Sequence, residues 1–409
     1  MEEWKKYKLG DIIHLIGGGT PKTTIDSFWN GDIPWLSVKD FNNSEKYVYQ
    51  TEKSISKLGL EKSTTRLLQK NDIIISARGT VGEIAMLPFP MAFNQSCYGI
   101  RGDLDIIDQD YLYYLMKFKL AEIKSKTHGS VFDTITRDTF GNINCSLPAF
   151  NIQQKISNIL SSFDDKIALN KRINDNLEQQ ALAIYRSWFV DFEPFKGGEF
   201  IDSELGEIPE GWGVGRLSDV GRIVGGSTPS KSHSEYYTTN GIPWLTPKDL
   251  SMTQAKFTSR GEIDITEIGY KSCSTKLLPR GSVLFSSRAP IGYISIALNE
   301  ICTNQGFKSI VPNREIGTAF IFYYLKANTS KIESQASGST FKEASGTLIN
   351  SLSIIRPPLK VIHNFNEIMT PIFFQQEKNE GENEKLSKLR DTLLPKLMSG
   401  ELKITDLNS

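Results

Sequence analysis

The sequence predicts an α+β protein in which two copies of one mixed α/β globular domain each run into a long helix. The two helices are expected to pack as an antiparallel coiled coil about an approximate two-fold axis. Three observations predict this. The chain repeats itself at an offset of 208 to 210 residues. An apolar seam with helical spacing runs unbroken from Ile152 to Phe189. Short β-branched runs alternate with Gly- and Ser-rich loops inside each copy.

The repeat is read from its anchors. LGDIIHLIGGGTP at Leu9 to Pro21 returns as LSDVGRIVGGSTP at Leu217 to Pro229, shifted by 208. Ile33-Pro34-Trp35-Leu36 and Lys39-Asp40 return as Ile242-Pro243-Trp244-Leu245 and Lys248-Asp249, shifted by 209. LLQKNDIIISARGTVG, Leu67 to Gly82, matches LLPRGSVLFSSRAPIG, Leu277 to Gly292, at 210. Asn94-Gln95, Tyr113-Tyr114-Leu115 and Gly129-Ser130 answer to Asn304-Gln305, Tyr323-Tyr324-Leu325 and Gly338-Ser339. So many anchors in one order, with so little drift, make a tandem duplication.

Inside each copy, Asp72 to Ser76 and Ser282 to Ser286 are expected as buried strands. Tyr111 to Lys119 and Phe320 to Lys326 are expected as helices. The GGGTP and GGSTP segments are expected as tight strand-end turns with left-handed glycines. The Ile-Pro-Trp triplets are expected to pack the domain core.

The first long helix carries Ile156, Ile159, Phe163, Ile167, Ile173, Leu177 and Ile184 at steps of three and four or their sums. Asn170 falls on that seam, where a single amide fixes register. Asp164, Asp165, Lys171, Arg172 and Glu178 are assigned to the outer face. The second helix carries Ile362, Phe365, Ile368, Ile372, Phe373, Leu386, Leu389, Leu393 and Leu397. Its middle, QQEKNEGENEK, is polar and contains Gly381, so a kink or loose pairing is expected there. Pro395 is expected to bend or end the last turn. The resulting division is 1–148 for the first globular copy, 149–192 for the central helix, 193–211 for a linker, 212–357 for the second copy and 358–409 for the C-terminal helix.

Composition narrows the class. The 409 residues carry no formal net charge, with a pI of 6.9 and a mean hydropathy of −0.29. No apolar run reaches membrane-spanning length, and MEEWKKYKLGD lacks the apolar core of a signal peptide, so a cytoplasmic protein without a membrane partner is expected. Cys97, Cys145, Cys273 and Cys302 form no CxxC pair and read as reduced, mostly core thiols. No metal site is expected. GGGTPKTT lacks the GxxxxGK[ST] spacing of a phosphate loop. DFEPF at Asp191 to Phe195 lacks the two prolines of a methyltransferase motif and reads as linker. No His, Cys or paired carboxylate set recurs at matched positions, so no catalytic residue is assigned.

The pattern W-x4-LGD, GGxTP, IPWL-x2-KD, SxRxxxG, NQ and then a long helix resembles the specificity (S) subunit of type I restriction–modification systems. The first copy supplies Trp4, Leu9, Gly17, Gly18, Thr20, Pro21, Trp35, Lys39, Asp40, Ser76, Arg78, Gly82, Asn94 and Gln95. The second supplies Trp212, Leu217, Gly225, Gly226, Thr228, Pro229, Trp244, Lys248, Asp249, Ser286, Arg288, Gly292, Asn304 and Gln305. The resemblance implies a non-catalytic reader of double-stranded DNA, each copy a target recognition domain for half of a bipartite site. It also implies two methyltransferase (modification) subunits docked on the helices and an endonuclease/translocase (restriction) subunit joining them. S-adenosylmethionine, ATP and Mg are implied in those partners, with no cofactor in this chain. A helix of roughly 36 residues spans about 54 Å, a ruler of about one and a half turns of duplex DNA.

Candidate DNA contacts are loop residues. Lys39, Arg78, Lys248 and Arg288 are long cations in Gly- or Ser-flanked settings, suited to phosphate or guanine edges. An ion pair, such as Lys39 with Asp40, is the competing reading. Thr20, Lys22 and Thr23, with Thr228, Ser230 and Lys231, suit backbone contacts beside the turns; Thr80 belongs to the Arg78 loop. Ser130, Ser339, Thr340 and Lys342 form a further candidate loop. The first copy is nearly charge-balanced, whereas 17 basic against 12 acidic residues between Leu205 and Lys360 leave the second at about +5. Cations this sparse predict weak binding and a shallow salt dependence for the isolated chain. The competing function is a protein-interaction scaffold whose helices form a strut and which binds no DNA.

Overall fold

A computed structural model describes residues 4–43, 45–125, 134–253, 255–338 and 342–404. The chain forms two compact units, one of residues 1–169 with 382–409 and one of residues 170–381. Two long helices run through this division: α2 (Phe150–Phe189) and α4 (Leu359–Ser399). Two shorter helices, α1 (Gln109–Ser125) and α3 (Thr318–Gln335), belong to the first and second unit respectively.

In the first unit, strands Ile13–Gly17, Cys97–Gly102, Ile73–Ser76 and Ile84–Met86 lie side by side in that order, each neighbouring pair antiparallel. Alternation along Ile73-Ile74-Ile75 divides the core. Ile73 and Ile75 join Ile100, Tyr113 and Leu115 on one side, whereas Ile74 joins Leu36, Leu68 and Phe93 on the other. Side chains of a strand point alternately to the two faces, so a run apolar at every position must be covered on both. One cover is α1; the other is a second small sheet in which Trp29–Leu36 runs parallel to Met91–Phe93.

The second unit repeats the plan. Gly221–Gly225, Lys308–Pro312, Val283–Ser287, Ile291–Ala297 and Phe257–Thr258 form one sheet, antiparallel except for its last pair. Val283 and Phe285 pack with the α3 side chains Tyr323 and Leu325; Leu284 packs with Leu245 and Phe307 on the other face. Trp244–Leu245 runs parallel to Cys302–Thr303, as its counterpart does in the first unit. Both buried strands and both helices therefore stand where the repeat predicts them.

Within each unit the stretches of α2 and α4 run antiparallel. In the first, Ile156 and Leu160 share a core with Leu397 and Met398, while Asp164 pairs with Arg390 and Lys166 lies 3.3 Å from Glu382. In the second, Asn174 bonds to Gln376 and Asn379, and Tyr185, Trp188 and Phe189 pack on Phe365. Ile156 and Phe365 lie deep in this packing, and Ile159, Phe163, Ile167, Leu177, Ile184, Ile372, Leu386 and Leu393 are partly covered. Ile173 and Leu389 depart from expectation: they are 37% and 47% exposed. The buried positions include Leu160, Ala181 and Tyr185 instead.

Other expectations are corrected. Asp164 is buried rather than on the outer face, because Arg390 Nη1 and the Tyr114 hydroxyl both donate to it at 2.5 Å. Glu178 likewise faces inward, held by Lys256, Lys326, Tyr323 and Gln376. The polar middle of α4 is not loosely paired: Gln376 and Asn379 are buried, the Gln376 amide donating to Asn174 O at 3.2 Å and the Asn379 amide to Asn174 Oδ1 at 2.8 Å. Polar side chains replace leucines there because each finds a partner. The helix continues through Pro395 to Ser399, and Gly400, at φ +74°, terminates it. In the segment read as linker, Phe195 and Phe192 meet Trp212 edge-on, with ring centres 4.9 and 5.6 Å away.

Candidate nucleic-acid interface

The motifs of each repeat converge on one loop cluster. In the first unit, Trp35, 7% exposed, donates its indole N–H to Gly19 O at 3.1 Å. Gly19 N–H in turn donates to Phe93 O at 2.9 Å. The next hydroxyl, Thr20, donates to Gln95 Oε1. The second unit rebuilds this bond by bond: Trp244 to Ser227 O at 3.1 Å, Ser227 N–H to Thr303 O at 3.0 Å, and Thr228 to Gln305 Oε1. The tryptophans therefore pack the core, as expected, and also tie the glycine turn down with their one polar atom.

The glycines serve a different purpose from the one expected. None of Gly17, Gly18, Gly19, Gly225 and Gly226 has a left-handed φ. A Cβ on Gly18 would stand 2.1 Å from Asn94 O, and one on Gly226 would stand 2.2 Å from both Thr303 O and Asn304 O. The need is close approach of two backbones, which no other residue permits. Gly18→Ala is expected to cost about 1–3 kcal/mol through forced displacement, whereas Gly17→Ala, with nothing within 4 Å of its Cβ, is expected to be close to neutral. Chemical denaturation of the two variants checks this.

Asp40 and Asp249 are structural. Asp40 Oδ2 accepts from Ser37 N–H at 2.7 Å and its Oδ1 from Glu52 N–H at 2.8 Å. Asp249 accepts from Thr246 N–H at 2.7 Å and Glu262 N–H at 2.9 Å. Each carboxylate thus locks a turn, and Asp40 is not the partner of Lys39. In the SxRxxxG loops, Ser76 Oγ accepts from Glu83 N–H and Ser286 Oγ from Tyr293 N–H, both at 2.8 Å. Here left-handed glycines do appear, Gly82 at φ +85° and Gly292 at φ +102°.

On this common frame the rims differ. Lys22, Lys39 and Arg78 are exposed, and among the described residues none has a carboxylate partner. In the second unit Lys248 lies 3.1 Å from Glu262, and Arg288 lies 3.5 Å from Glu343, which also holds Lys308 at 3.1 Å. The ion-pair reading of these cations is thus met in the second unit, at Lys248 and Arg288. Thr228, Lys231, Lys248, Arg288 and Gln305 line one concavity of about 780 Å³. Thr23, Thr80, Ser230 and Lys342 are exposed, with Ser230 Oγ 2.7 Å from Ser232 Oγ. Ser130, Ser339 and Thr340 lie outside the described residues.

Sequence reasoning missed two matched lysines. Lys46 and Lys256, 210 residues apart, each precede an aromatic residue, and their side chains are only 3% and 9% exposed. Lys46 Nζ reaches Asp110 and Ser161 Oγ, the latter at 2.7 Å on α2. Lys256 Nζ lies 2.7 Å from Glu178 Oε2, 2.8 Å from both Tyr323 Oη and Gln376 Oε1, and 3.9 Å from the Phe373 ring centre. Burial pushes the Lys256 ammonium down to about 8 against the pull of Glu178. Burial also works to raise Glu178, but Lys256 and Lys326 outweigh it and hold the carboxyl at about 2. In each unit, then, a buried lysine fastens the globular part to a long helix. Extending the repeat alignment one further anchor would have found it.

Among the described residues no three His, Cys, Asp or Glu side chains gather to hold a metal ion. Burial pushes the Cys145 and Cys302 thiols up to about 11, away from nucleophilic use. No described helix is long and apolar enough to cross a membrane.

Comparison with known proteins agrees with the duplicated site. The family described as "Type I restriction modification DNA specificity domain" matches residues 1–179 and again 209–388. The chain is 31% identical to the type I restriction enzyme MjaIX specificity subunit of Methanocaldococcus jannaschii, over 99% of this chain and 95% of that one. It is 27% identical to the HindI specificity subunit of Haemophilus influenzae, over 98% and 100%. The crystal structure of a type I S subunit from M. genitalium shares the fold, with a TM-score of 0.61 at 16% identity over 97% of this chain and 96% of that one. Two family domains in tandem, each carrying the same turn, tryptophan and glutamine frame, place the chain in the family of type I restriction–modification specificity subunits.

Proposed function

We propose that this chain is the non-catalytic specificity subunit of a type I restriction–modification complex. Each globular unit reads one half of a bipartite site in double-stranded DNA, and the long helices set the gap and dock two modification subunits. A restriction subunit joins the complex, and S-adenosylmethionine, ATP and Mg act in those partners. The observation that carries the reading is the twice-built loop frame whose rims differ in charge: one scaffold presenting two sets of side chains suits two different words. Family membership supports the same reading.

Mapping methylated adenines in cells with and without this gene tests it. The expected result is one bipartite motif that vanishes with the gene; an unchanged methylation pattern overturns the reading. The spacing role has its own test. A heptad inserted between Ala168 and Leu177 adds about 10.5 Å of helix, near three base pairs at about 3.4 Å each. A complex that still assembles is expected to methylate half-sites set correspondingly further apart.

A further inference from the structure

Gln95 and Gln305 carry no charge, yet each is tied to a residue of the glycine turn. The residue before each is locked in an Asx turn, Asn94 Oδ1 accepting from Ser96 N–H at 3.1 Å and Asn304 Oδ1 from Gly306 N–H at 2.8 Å. Each glutamine is itself exposed, and its Oε1 is taken by the hydroxyl of Thr20 or Thr228. Those threonines follow glycine turns seated against the opposite backbone and tied by an indole N–H. An amide offers one carbonyl oxygen and two N–H donors. With the oxygen engaged by the threonine, the two donors left are those of Nε2, which has no partner among the described residues. In the second unit Gln305 lines the concavity that Lys231 and Arg288 also line.

A fixed donor calls for an acceptor at a fixed place. Guanine and thymine edges provide acceptors, but they change from word to word. The two units keep this threonine–glutamine pair identical while their cationic rims diverge, and a feature common to two readers carries nothing that tells their words apart. Phosphate oxygens recur at every nucleotide whatever the sequence. We infer that Thr20–Gln95 and Thr228–Gln305 are twin backbone clamps, each threonine hydroxyl orienting a glutamine amide that donates to a phosphate oxygen of duplex DNA. The inference rests on the function proposed above. The threonines act here as positioning residues, and the contact passes to the glutamines.

The test uses the assembled complex with its modification subunits. Gln305→Ala is expected to weaken binding about tenfold, the worth of one hydrogen bond to a charged acceptor, equally on duplexes with and without the methylated motif. Its salt dependence stays that of the wild type, since a neutral amide displaces no counterion, and its motif is unchanged. Gln305→Glu, which faces a carboxylate to the phosphate, is expected to lose more than the alanine variant. Thr228→Val is expected to lose part of the same affinity, and Gln95→Ala repeats the result in the other unit. Melting temperatures close to wild type separate these effects from misfolding. Relaxed preference at a single base position would make Gln305 a base reader and overturn the clamp, as would undiminished affinity in both glutamine variants. A wild-type complex with no sequence preference overturns the proposed function itself.

Discussion

Lys256→Met is expected to destabilise the second unit by about 3 kcal/mol, at the lower end of what breaking a buried ion pair costs. The methionine keeps the apolar stem against Phe373 but removes the charge that Glu178, Tyr323 and Gln376 converge on. The loss stays at the lower end because Lys326 Nζ remains 2.6 Å from Glu178 Oε1. Adding Glu178→Gln to Lys256→Met is expected to restore part of the loss, since it removes a buried charge that Lys326 alone is left to balance. Urea unfolding of the two singles and the double measures the coupling. The acid limb gives a second readout. Glu178 titrates at about 2 rather than at its ordinary 4.5, so its native state binds fewer protons than the unfolded chain in that range. Its contribution is therefore complete above about pH 4.5 and fades as the pH falls toward 2. Glu178→Gln is expected to flatten the stability profile in that acid window.

Phe365→Ala is expected to cost about 3–5 kcal/mol. Phe365 is fully buried, with ring centres 4.9 Å from Phe189, 6.0 Å from Trp188 and 6.3 Å from Tyr185. Truncation opens a cavity walled by three rigid rings, which relax poorly into it. Ile368, from the same expected seam, is 39% exposed, and Ile368→Ala is expected to cost well under about 1 kcal/mol. Comparable losses for both variants would mean that the helix pairing is not organised around the aromatic cluster.

The contrast shows what a sequence of this kind discloses. Repetition and apolar spacing are local properties, so the duplicated domains, the isoleucine strand and both long helices are legible in the letters. Which polar side chains of α2 are covered is not. Asp164 and Glu178 look like surface acids until Arg390 and Lys256 arrive from distant parts of the chain. The glycine turns misled for a related reason. A glycine demanded by a left-handed φ and one demanded by a neighbouring carbonyl read alike, and only the fold says that Gly18 is of the second kind. Likewise Thr20 and Thr228 were legible as polar loop residues, but their grip on Gln95 and Gln305 was not, because it joins positions 75 and 77 residues apart.

The first unit takes its core residues Leu397 and Met398 from the far end of α4, whereas the second needs nothing beyond Gly381. On the ribosome, the half translated earliest is therefore the last able to close. It must wait, with the Ile156 and Leu160 surface uncovered, while more than two hundred further residues are added. Nascent chains held at that stage should draw chaperones to the older half, and a stop codon placed before Leu397 should leave the younger half folded and the older one open to proteases.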